Sequence, residues 1–363
     1  MLKRFALILM CVIMVIGIVV GCGGGTTTPE GSGTGTSTTT GGNGTTEPIV
    51  LKFGMTSNLF EKDESVTSGY AIAFQEELDK VSGGNMTMDI YPNGQLGGDG
   101  ENLTSVVAGT TEIGNTSVQT LGNFAKSAMI FTMPGSYRDL TDVRNMIATD
   151  FATRNIRDAV LDVTETAMVL FLNSPGLRSF ANGVDREMRV PADVKGLKFR
   201  VVESPMPIAM VESLGGAAVP MPISDFYMAM MQKVLDGTEN CVPFLIQDMA
   251  YEVCNQMVMD KHYPAIESYA FSGKLYNTLS DEQKGWVEQA NDAGAAQGIK
   301  AADILNETGM AFLAEYMNIY TPTDAEFAEW QKAVRAGTEA WMRSEVGDEL
   351  VDEFFEVLAD IQK

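Results

Sequence analysis

The spacing of apolar residues switches between strand and helix periods several times after residue 48. Residues 49–55 and 86–91 are short apolar or alternating runs bounded by turn residues, and each predicts a β-strand. Residues 70–81, between them, carry apolar side chains at helical spacing, which predicts a helix. The alternation continues with a predicted helix over 103–108 and predicted strands over 112–115 and 168–172. Strands that alternate with helices indicate an α/β fold with largely parallel sheets.

A second α/β unit is predicted to begin near Gly176. In chain order, its pattern predicts a strand over 196–202, a helix over 206–214 and a strand over 217–219. Ser224 is a candidate N-cap for a helix over 225–235. Three methionines of this helix are expected to lie on its buried face rather than in a metal site: Met228, Met230 and Met231.

Two capping boxes mark the starts of the C-terminal helices. The first, Ser280-x-x-Gln283, opens a helix-compatible stretch that continues without proline to about Met317. At 1.5 Å per residue this stretch is roughly 55 Å long, so it either breaks at one of its glycines or spans two lobes, and spanning is expected. The second box, Thr323-x-x-Glu326, begins acidic amphipathic helices that continue to Lys363.

These elements predict a two-lobed α/β fold with a long helix that spans both lobes. The first lobe is expected to comprise residues 49–174 and 266–305. The second is expected to comprise residues 175–265 and 306–363. A cleft between two such lobes is a common binding site for small ligands.

The N-terminus has the pattern of an exported protein. Lys3 and Arg4 precede sixteen apolar or glycine residues, Phe5 to Val20, as in a secretory signal. This run is shorter than the roughly 20 residues of a transmembrane span. Val19-Val20-Gly21-Cys22 resembles a bacterial lipobox, so residues 1–21 are predicted to be cleaved and Cys22 to be lipidated.

A low-complexity linker follows the predicted lipid site. Of the 26 residues from Gly23 to Pro48, nine are Gly, ten are Thr and two are Ser. Such a segment buries too little apolar surface to fold, and its reach as a flexible chain is on the order of 28 Å. The sequence therefore predicts an extracytoplasmic protein that is tethered to a bacterial membrane, either in the periplasm or at the cell surface.

Composition narrows the possible functions. The 363 residues include 48 Asp and Glu against 25 Lys and Arg, a charge that disfavours nucleic acid as a partner. The single histidine, His262, excludes a multi-histidine metal site and is expected to be packed rather than catalytic. The sequence also lacks a Walker-type phosphate loop and an EF-hand loop. It therefore predicts neither a metal site nor a cofactor, and the composition disfavours an enzyme.

Two of the four cysteines remain in the predicted folded region. Cys11 lies in the signal and Cys22 at the lipidation site, which leaves Cys241 and Cys254. Because an exported protein matures in an oxidising compartment, a disulfide between these two is expected. Two buried free thiols are the alternative.

Residues 50 to about 320 resemble the solute-binding proteins of tripartite ATP-independent periplasmic (TRAP) transporters. The resemblance rests on an ordered set of segments rather than on a single motif. These segments are Tyr91-Pro92-Asn93-Gly94-Gln95-Leu96-Gly97, Gly176-Leu177-Arg178, residues 190–201 (VPADVKGLKFRV), Leu214-Gly215-Gly216-Ala217, Pro220-Met221-Pro222, Ser224-Asp225-Phe226-Tyr227, Val234 to Asn240 (VLDGTEN) and Tyr251-Glu252-Val253. The sequence departs from the family at Ile223, where many members carry Phe.

The resemblance implies a periplasmic-binding-protein fold and a set of ligand-binding residues in its interlobe cleft. Arg200 corresponds to the arginine that clamps the ligand carboxylate, because a guanidinium can bind both carboxylate oxygens at once. Arg178 resembles the second ligand arginine, and Asn240 an asparagine that binds the same carboxylate. The other candidates are polar residues of loops after strands, Ser57, Asn58, Asn115 and Ser117, and two aromatic residues that could line the pocket, Tyr227 and Phe244.

The implied function is capture of a small organic acid and its delivery to the membrane permease of a TRAP transporter. We expect a monomer that is held at the membrane by its lipid. Dicarboxylates, hydroxy or keto acids, sugar acids, aromatic acids and amino acids all carry the carboxylate that Arg200 would bind. Two alternatives are a binding protein for a sensor or an ABC-type importer and, in a different class, an exported lyase or isomerase with an acid/base pair in the cleft.

Overall fold

Two long antiparallel strands, β4 and β9, connect the two lobes of the protein. The computed structural model describes residues 48–363, so the predicted signal peptide, the lipid site at Cys22 and nearly all of the linker lie outside the described residues. The strands in this range are β1 Ile49–Gly54, β2 Met86–Tyr91, β3 Ile113–Ser117, β4 Ala167–Asn182, β5 Lys198–Val201, β6 Ala217–Pro220, β7 Gly237–Asn240, β8 Gln256–Val258, β9 Tyr263–Ser272 and β10 Asn318–Tyr320.

Helices cover the strands of both lobes. In chain order they are α1 Val66–Ser82, α2 Asp99–Ala108, α3 Val118–Leu121, α4 Leu140–Ile147, α5 Asp150–Ala152, α6 Ala159–Thr164, α7 Pro205–Ser213, α8 Ile223–Met231, α9 Val242–Gln247, α10 Gly273–Tyr276, α11 Asp281–Leu313, α12 Asp324–Val346 and α13 Asp348–Ile361. Among residues 48–363, no helix is both long and apolar enough to cross a bilayer.

The strand order is β2-β1-β3-β9-β4-β7-β5-β6. Within the first lobe β1 pairs in parallel with β2 and β3, and within the second lobe β5 pairs in parallel with β6 and β7. The pairs at the centre, β3–β9, β9–β4 and β4–β7, are antiparallel. The predicted α/β class is confirmed, but the expectation of largely parallel sheets holds only inside each lobe.

Strand β4 runs through both lobes and bends between them. Its pairing with β9 shifts register between Val169 and Phe171 and again between Asn173 and Gly176. Such bulges bend a strand and increase its twist. Gly176, where the second unit is predicted to begin, lies inside this shared strand.

The predicted spanning helix is confirmed. Helix α11 has 33 residues, about 50 Å at 1.5 Å per residue, and packs against α1 in the first lobe and α9 in the second. The helix does not break at its glycines, and two of them, Gly294 and Gly309, are close-contact positions. A Cβ on Gly294 would lie 3.0 Å from the Tyr70 ring, and one on Gly309 would lie 2.7 Å from Val242, so both neighbours approach closely because a side chain is absent.

Helix α8 differs from its prediction. It begins at Ile223 after Pro222, not after a Ser224 cap, and ends at Met231. The helix buries one face, through Phe226 and Met230, which are four residues apart. Met228 and Met231 lie off that face and are 56% and 60% exposed, so the prediction that all three methionines are buried is wrong.

The predicted disulfide is also wrong. Cys241 and Cys254 are both free thiols in the structure, and both are buried. Cys241 precedes α9 and packs against Gly176 of β4, whereas Cys254 lies in an apolar cluster with Leu245 and Met257. Burial raises the pKa of each thiol to about 12, so both stay protonated. The prediction rested on the compartment, and the fold places the two side chains in different surroundings.

Candidate functional site

A cavity of about 70 Å³ lies between the lobes. The first lobe contributes residues from the segment after β1, from the starts of α1 and α2, and from β3 and β9. The second lobe contributes residues from β4, β5, β7, α8 and α9, or next to them. The lining residues are Thr56, Ser57, Thr67, Asp99, Asn115, Thr116, Ser117, Arg178, Arg200, Val202, Ile223, Asn240, Phe244, Gln247, Asp248 and Glu267.

Arg200 is buried at the end of β5 and lines this cavity. Its Nε donates to the backbone oxygen of Met221 at 3.0 Å, a bond that fixes the plane of the guanidinium. The burial of Arg200 and the neighbouring charge of Arg178 both lower the pKa of its side chain. Arginine nevertheless stays protonated, and Arg200 forms no ion pair with any of the described residues. The nearby carboxyl groups of Glu239, Asp248 and Asp99 oppose this lowering, but none of them forms an ion pair with the guanidinium, which leaves it available to an anionic ligand.

Arg178 lies on β4 and is held by Glu239 of the neighbouring strand β7. Its Nε donates to Oε2 of Glu239 at 2.5 Å, and its Nη2 donates to Oε1 at 3.0 Å and to the Glu239 backbone oxygen at 2.6 Å. Burial opposes ionisation of Glu239, but the charge of Arg178 lowers the pKa of this carboxyl group to about 2. Arg178 is therefore a structural ion-pair partner that also lines the cavity.

His262 continues this buried chain of charged groups away from the cavity. Its Nδ1 lies 2.6 Å from Oδ2 of Asp260, and its Nε2 lies 3.4 Å from Oε2 of Glu239. Burial alone would lower the pKa of His262, but Asp260 and Glu239 raise it. His262 is thus within hydrogen-bonding distance of Glu239 on the side away from the cavity, and it is buried and packed, as expected.

Asn240 and Asp248 lie beside the two arginines. The side chain of Asn240 accepts a hydrogen bond from the Cys241 backbone at 3.0 Å and donates to Oδ2 of Asp248 at 3.2 Å. Burial raises the pKa of Asp248 to about 7, although Arg200 and Arg178 act in the opposite direction. The carboxylate is thus close to both cations without an ion pair to either in the described part of the chain.

The first lobe supplies two further carboxylates. Glu267 of β9 accepts hydrogen bonds from Thr67 at 2.6 Å, Tyr269 at 2.9 Å and Asn115 at 3.3 Å, and burial raises its pKa to about 7. Asp99, at the start of α2, accepts from the Ser117 backbone at 3.2 Å and from the Thr56 hydroxyl at 3.3 Å. Burial raises the pKa of Asp99 as well.

The cavity brings together seven of the nine ligand-binding residues that the sequence predicts. These are Ser57, Asn115, Ser117, Arg178, Arg200, Asn240 and Phe244. Asn58 and Tyr227 are not among the lining residues. Asn58 is bonded through its backbone oxygen to Ser68, and the Tyr227 hydroxyl donates to Glu252 at 2.8 Å near the surface.

Sequence reasoning missed the three carboxylates, Asp99, Asp248 and Glu267. The sequence separates them by 149 and 19 positions, and no motif relates them. Ile223, at the position where the resembling family often carries Phe, also lines the cavity. In the described range, no group of three or more His, Cys, Asp or Glu side chains has an arrangement that could hold a metal ion.

Hydrogen bonds cross the cleft between the lobes. The Ser65 hydroxyl donates to Gln247 at 2.6 Å, the Ser204 hydroxyl to the Gln119 backbone at 2.9 Å, and the Asn123 amide to the Glu203 backbone at 2.8 Å. One of these residues, Gln247, also lines the cavity. The structure therefore represents the two lobes in a closed arrangement.

The chain is similar to periplasmic proteins that bind small acids. It is 26% identical over 287 residues to the sialic acid-binding periplasmic protein SiaP of Vibrio cholerae, which covers 77% of this chain and 85% of that protein. It is 25% identical over 313 residues to the C4-dicarboxylate-binding periplasmic protein DctP of the same organism, which covers 84% and 89%.

Solved structures show the same fold. The sugar acid binding protein DctPAm of Advenella mimigardefordensis, in complex with galactonate, matches with a TM-score of 0.80 at 23% identity, over 87% of this chain and 99% of that one. A TRAP periplasmic solute-binding protein of Shewanella oneidensis, with bound succinate, matches with a TM-score of 0.79 at 20% identity, over 87% and 100%. The family DctP, bacterial extracellular solute-binding protein, family 7, matches residues 58–345. The chain therefore belongs to the bacterial extracellular solute-binding proteins of family 7.

Proposed function

We propose that this protein is the extracytoplasmic receptor of a TRAP transporter and that it captures a small organic acid through the acid's carboxylate. The observation that carries the proposal is Arg200, a guanidinium buried in the interlobe cavity with no ion-pair partner among the described residues. The related structures with bound succinate and galactonate support the same class of ligand.

Capture would follow from the way the two lobes divide the cavity. A carboxylate bound to Arg200 and Asn240 of the second lobe leaves the rest of the ligand facing Asn115 and Ser117 of the first lobe. A ligand that contacts both lobes stabilises the closed arrangement over the open one. The closed form then delivers the acid to a membrane permease, without chemistry on the ligand.

A thermal-shift and calorimetric screen tests this proposal. The chain from residue 23 onward is unfolded and refolded to remove any copurifying ligand, and small organic acids are then added at millimolar concentration. At least one acid is expected to raise the melting temperature, because it binds the folded state only. Neutral polyols of similar size, such as galactitol, serve as the control. If no acid raises the melting temperature above this control, the proposed function is wrong.

We also propose that Cys22 carries the lipid that holds the receptor at the outer face of a bacterial membrane as a monomer. The support lies in the sequence, where a signal-like run, small residues and the cysteine follow in order. Wild-type protein should fractionate with membranes and have a mature N-terminus at residue 22. Cys22→Ala should fractionate as soluble protein, and a wild-type N-terminus at any other residue would contradict the assignment.

One observation favours a second candidate, an exported lyase or isomerase on this fold. The pKa values near 7 of Asp248 and Glu267 lie in the range that suits general acid/base catalysis. Incubation of the protein with the acid it binds, followed by NMR spectroscopy, separates the two functions. A receptor returns the acid unchanged, whereas an enzyme produces new resonances. A receptor for a sensor or an ABC-type importer would also return it unchanged and would differ only in its membrane partner.

A further inference from the structure

The two lobes contribute groups of different charge to the cavity. The second lobe supplies both arginines, Arg178 and Arg200, together with one acidic side chain, Asp248. The first lobe supplies two carboxylates, Asp99 and Glu267, and none of its lining residues within the described range is basic. Its other polar contributions are hydroxyl and amide groups: Thr56, Ser57, Thr67, Asn115, Thr116 and Ser117. The cavity therefore has a cationic end and an acidic end.

The charges limit how many ligand carboxylates the cavity can neutralise. Glu239, which lies behind the cavity, already compensates Arg178 through two side-chain hydrogen bonds. Arg200 is then the cation that remains for a ligand, while Asp99, Asp248 and Glu267 all line the same space. One ligand carboxylate can pair with Arg200. A second would lie among acidic side chains with no further cation to neutralise it, which is unfavourable.

The acidic end also contains hydroxyl groups that lack partners. Ser57 Oγ and Thr116 Oγ1 are buried and form no hydrogen bond with the described residues, and both side chains line the cavity. These residues are 7% and 2% exposed. An unpaired buried polar group is unfavourable, so these hydroxyls indicate polar ligand atoms at this end.

We propose that the ligand is a monocarboxylate that carries hydrogen-bond donors at its other end. Its carboxylate lies toward Arg200, and its donors lie toward Asp99 and Glu267. The inference rests on the proposed function, because it assumes that an organic acid occupies the cavity. Hydroxyl groups, as in a sugar acid, and an ammonium group, as in an amino acid, both supply donors, whereas a fully ionised dicarboxylate does not.

The raised pKa values of the acidic side chains in the cavity also favour a ligand with hydrogen-bond donors at this end. Burial raises the pKa values of Asp248 and Glu267 to about 7, so the cavity already disfavours its own negative charges. Asp248 accepts a single side-chain hydrogen bond, from Asn240 at 3.2 Å, within the described structure. A donor-bearing ligand would satisfy these carboxylates, whereas a second ligand carboxylate would increase the repulsion.

A matched set of four-carbon acids tests the inference by titration calorimetry at pH 8 on the refolded chain. The probes are erythronate with three hydroxyls, 4-aminobutyrate with an ammonium group, succinate with a second carboxylate, and butyrate with none of these. Galactonate extends the hydroxyl series to six carbons. A hydroxy acid or 4-aminobutyrate is expected to bind at least tenfold more tightly than succinate and butyrate. Whichever of these two kinds of acid binds more tightly shows whether the ligand's donors are hydroxyl groups or an ammonium group.

Charge-neutral variants locate the acidic end. Asp99→Asn and Glu267→Gln should each lower the affinity for the donor-bearing acid at least fivefold. Each should also reduce the ratio of that affinity to the affinity for succinate. Asp89→Asn is the matched control, because Asp89 is exposed on β2 outside the cavity and the change in net charge is the same. The comparison of the five acids on the wild-type chain does not depend on the folding of any variant. If the cavity variants unfold, that comparison alone tests the inference.

The outcomes separate the inference from the proposed function. Tighter binding of succinate than of every donor-bearing acid overturns the inference and leaves an acid receptor in place. If Asp99→Asn and Glu267→Gln both fold and both keep the wild-type ratio of affinities for the donor-bearing acid and succinate, the inference is also overturned. Failure of all five acids to bind overturns the inference, whereas the proposed function is wrong only if no acid of the wider thermal-shift screen binds.

Discussion

Replacing Arg200 by lysine separates the geometry of the carboxylate site from its charge. In the structure, Nε of Arg200 donates to the Met221 backbone oxygen, while the two terminal nitrogens form no hydrogen bond with any other residue of the described range. This arrangement presents a fixed, planar fork to a carboxylate. A lysine ammonium keeps the charge but cannot both hold the Met221 oxygen and bind two carboxylate oxygens. Arg200→Lys should therefore weaken binding although the net charge is unchanged.

The expected loss follows from the number of bonds removed. A hydrogen bond that involves a charged group contributes about 1.5–3 kcal/mol. Since about 1.4 kcal/mol corresponds to tenfold in affinity, losing one such bond weakens binding roughly tenfold to a hundredfold. Arg200→Ala should weaken it further, because the ligand carboxylate then lies in a closed cavity without this cation.

Titration calorimetry with the tightest-binding acid of the screen measures this effect. Arg154→Lys is the matched control, because Arg154 is exposed and pairs with Glu353 at the surface. Circular dichroism and thermal melting establish that each variant is folded. If folded Arg200→Lys binds within twofold of wild type while Arg154→Lys is also unchanged, the carboxylate is held elsewhere and the reasoning is refuted.

Three other predictions follow from the described contacts. Glu239→Gln should lower the free energy of unfolding by about 3 kcal/mol at pH 7, because it leaves Arg178 buried without its anion. The pKa of Glu239 is lowered from 4.5 to about 2, so the stability that its charge contributes is present above pH 4.5 and is lost as the pH falls toward 2. In urea titrations, the free energies of unfolding of the wild type and the variant should therefore converge over that interval. A difference that stays constant with pH would contradict this prediction. The unreduced chain from residue 23 onward should consume no thiol reagent when native and two equivalents when unfolded. If the unfolded chain consumes none, Cys241 and Cys254 form a disulfide after all. Small-angle scattering should give a smaller radius of gyration with ligand than without, since the cleft-crossing bonds of Ser65, Asn123 and Ser204 belong to the closed form; identical profiles at saturation would indicate a rigid pocket.

Local signals predicted the elements that depend on local chemistry. The capping boxes at Ser280 and Thr323 start α11 and α12 at the predicted residues, because each box satisfies backbone groups within one turn. Strand β2 has its predicted bounds, Met86–Tyr91. By contrast, the sixteen residues of β4 exceed the five predicted, because its length is set by pairing with β9, about 90 positions away.

The candidate site was predictable where a family pattern covers it. Arg200, Arg178 and Asn240 lie in segments that resemble family motifs, and all three line the cavity. Asp99 and Glu267 come from segments that meet only in the folded protein, so no local pattern could relate them. The erroneous disulfide has the opposite cause, since an oxidising compartment permits a bond between Cys241 and Cys254 but does not require one, and both are free thiols in the structure.

The affinity of one acid against that of its carboxamide tests the central claim most directly. The amide of the tightest-binding acid keeps the carbon skeleton and all other polar groups, and it removes the negative charge that Arg200 is proposed to bind. We expect calorimetry on the wild-type chain at pH 8 to show at least tenfold weaker binding of the amide. Equal affinity for the acid and its amide would show that the cavity does not recognise a carboxylate, and the account of this receptor would be wrong.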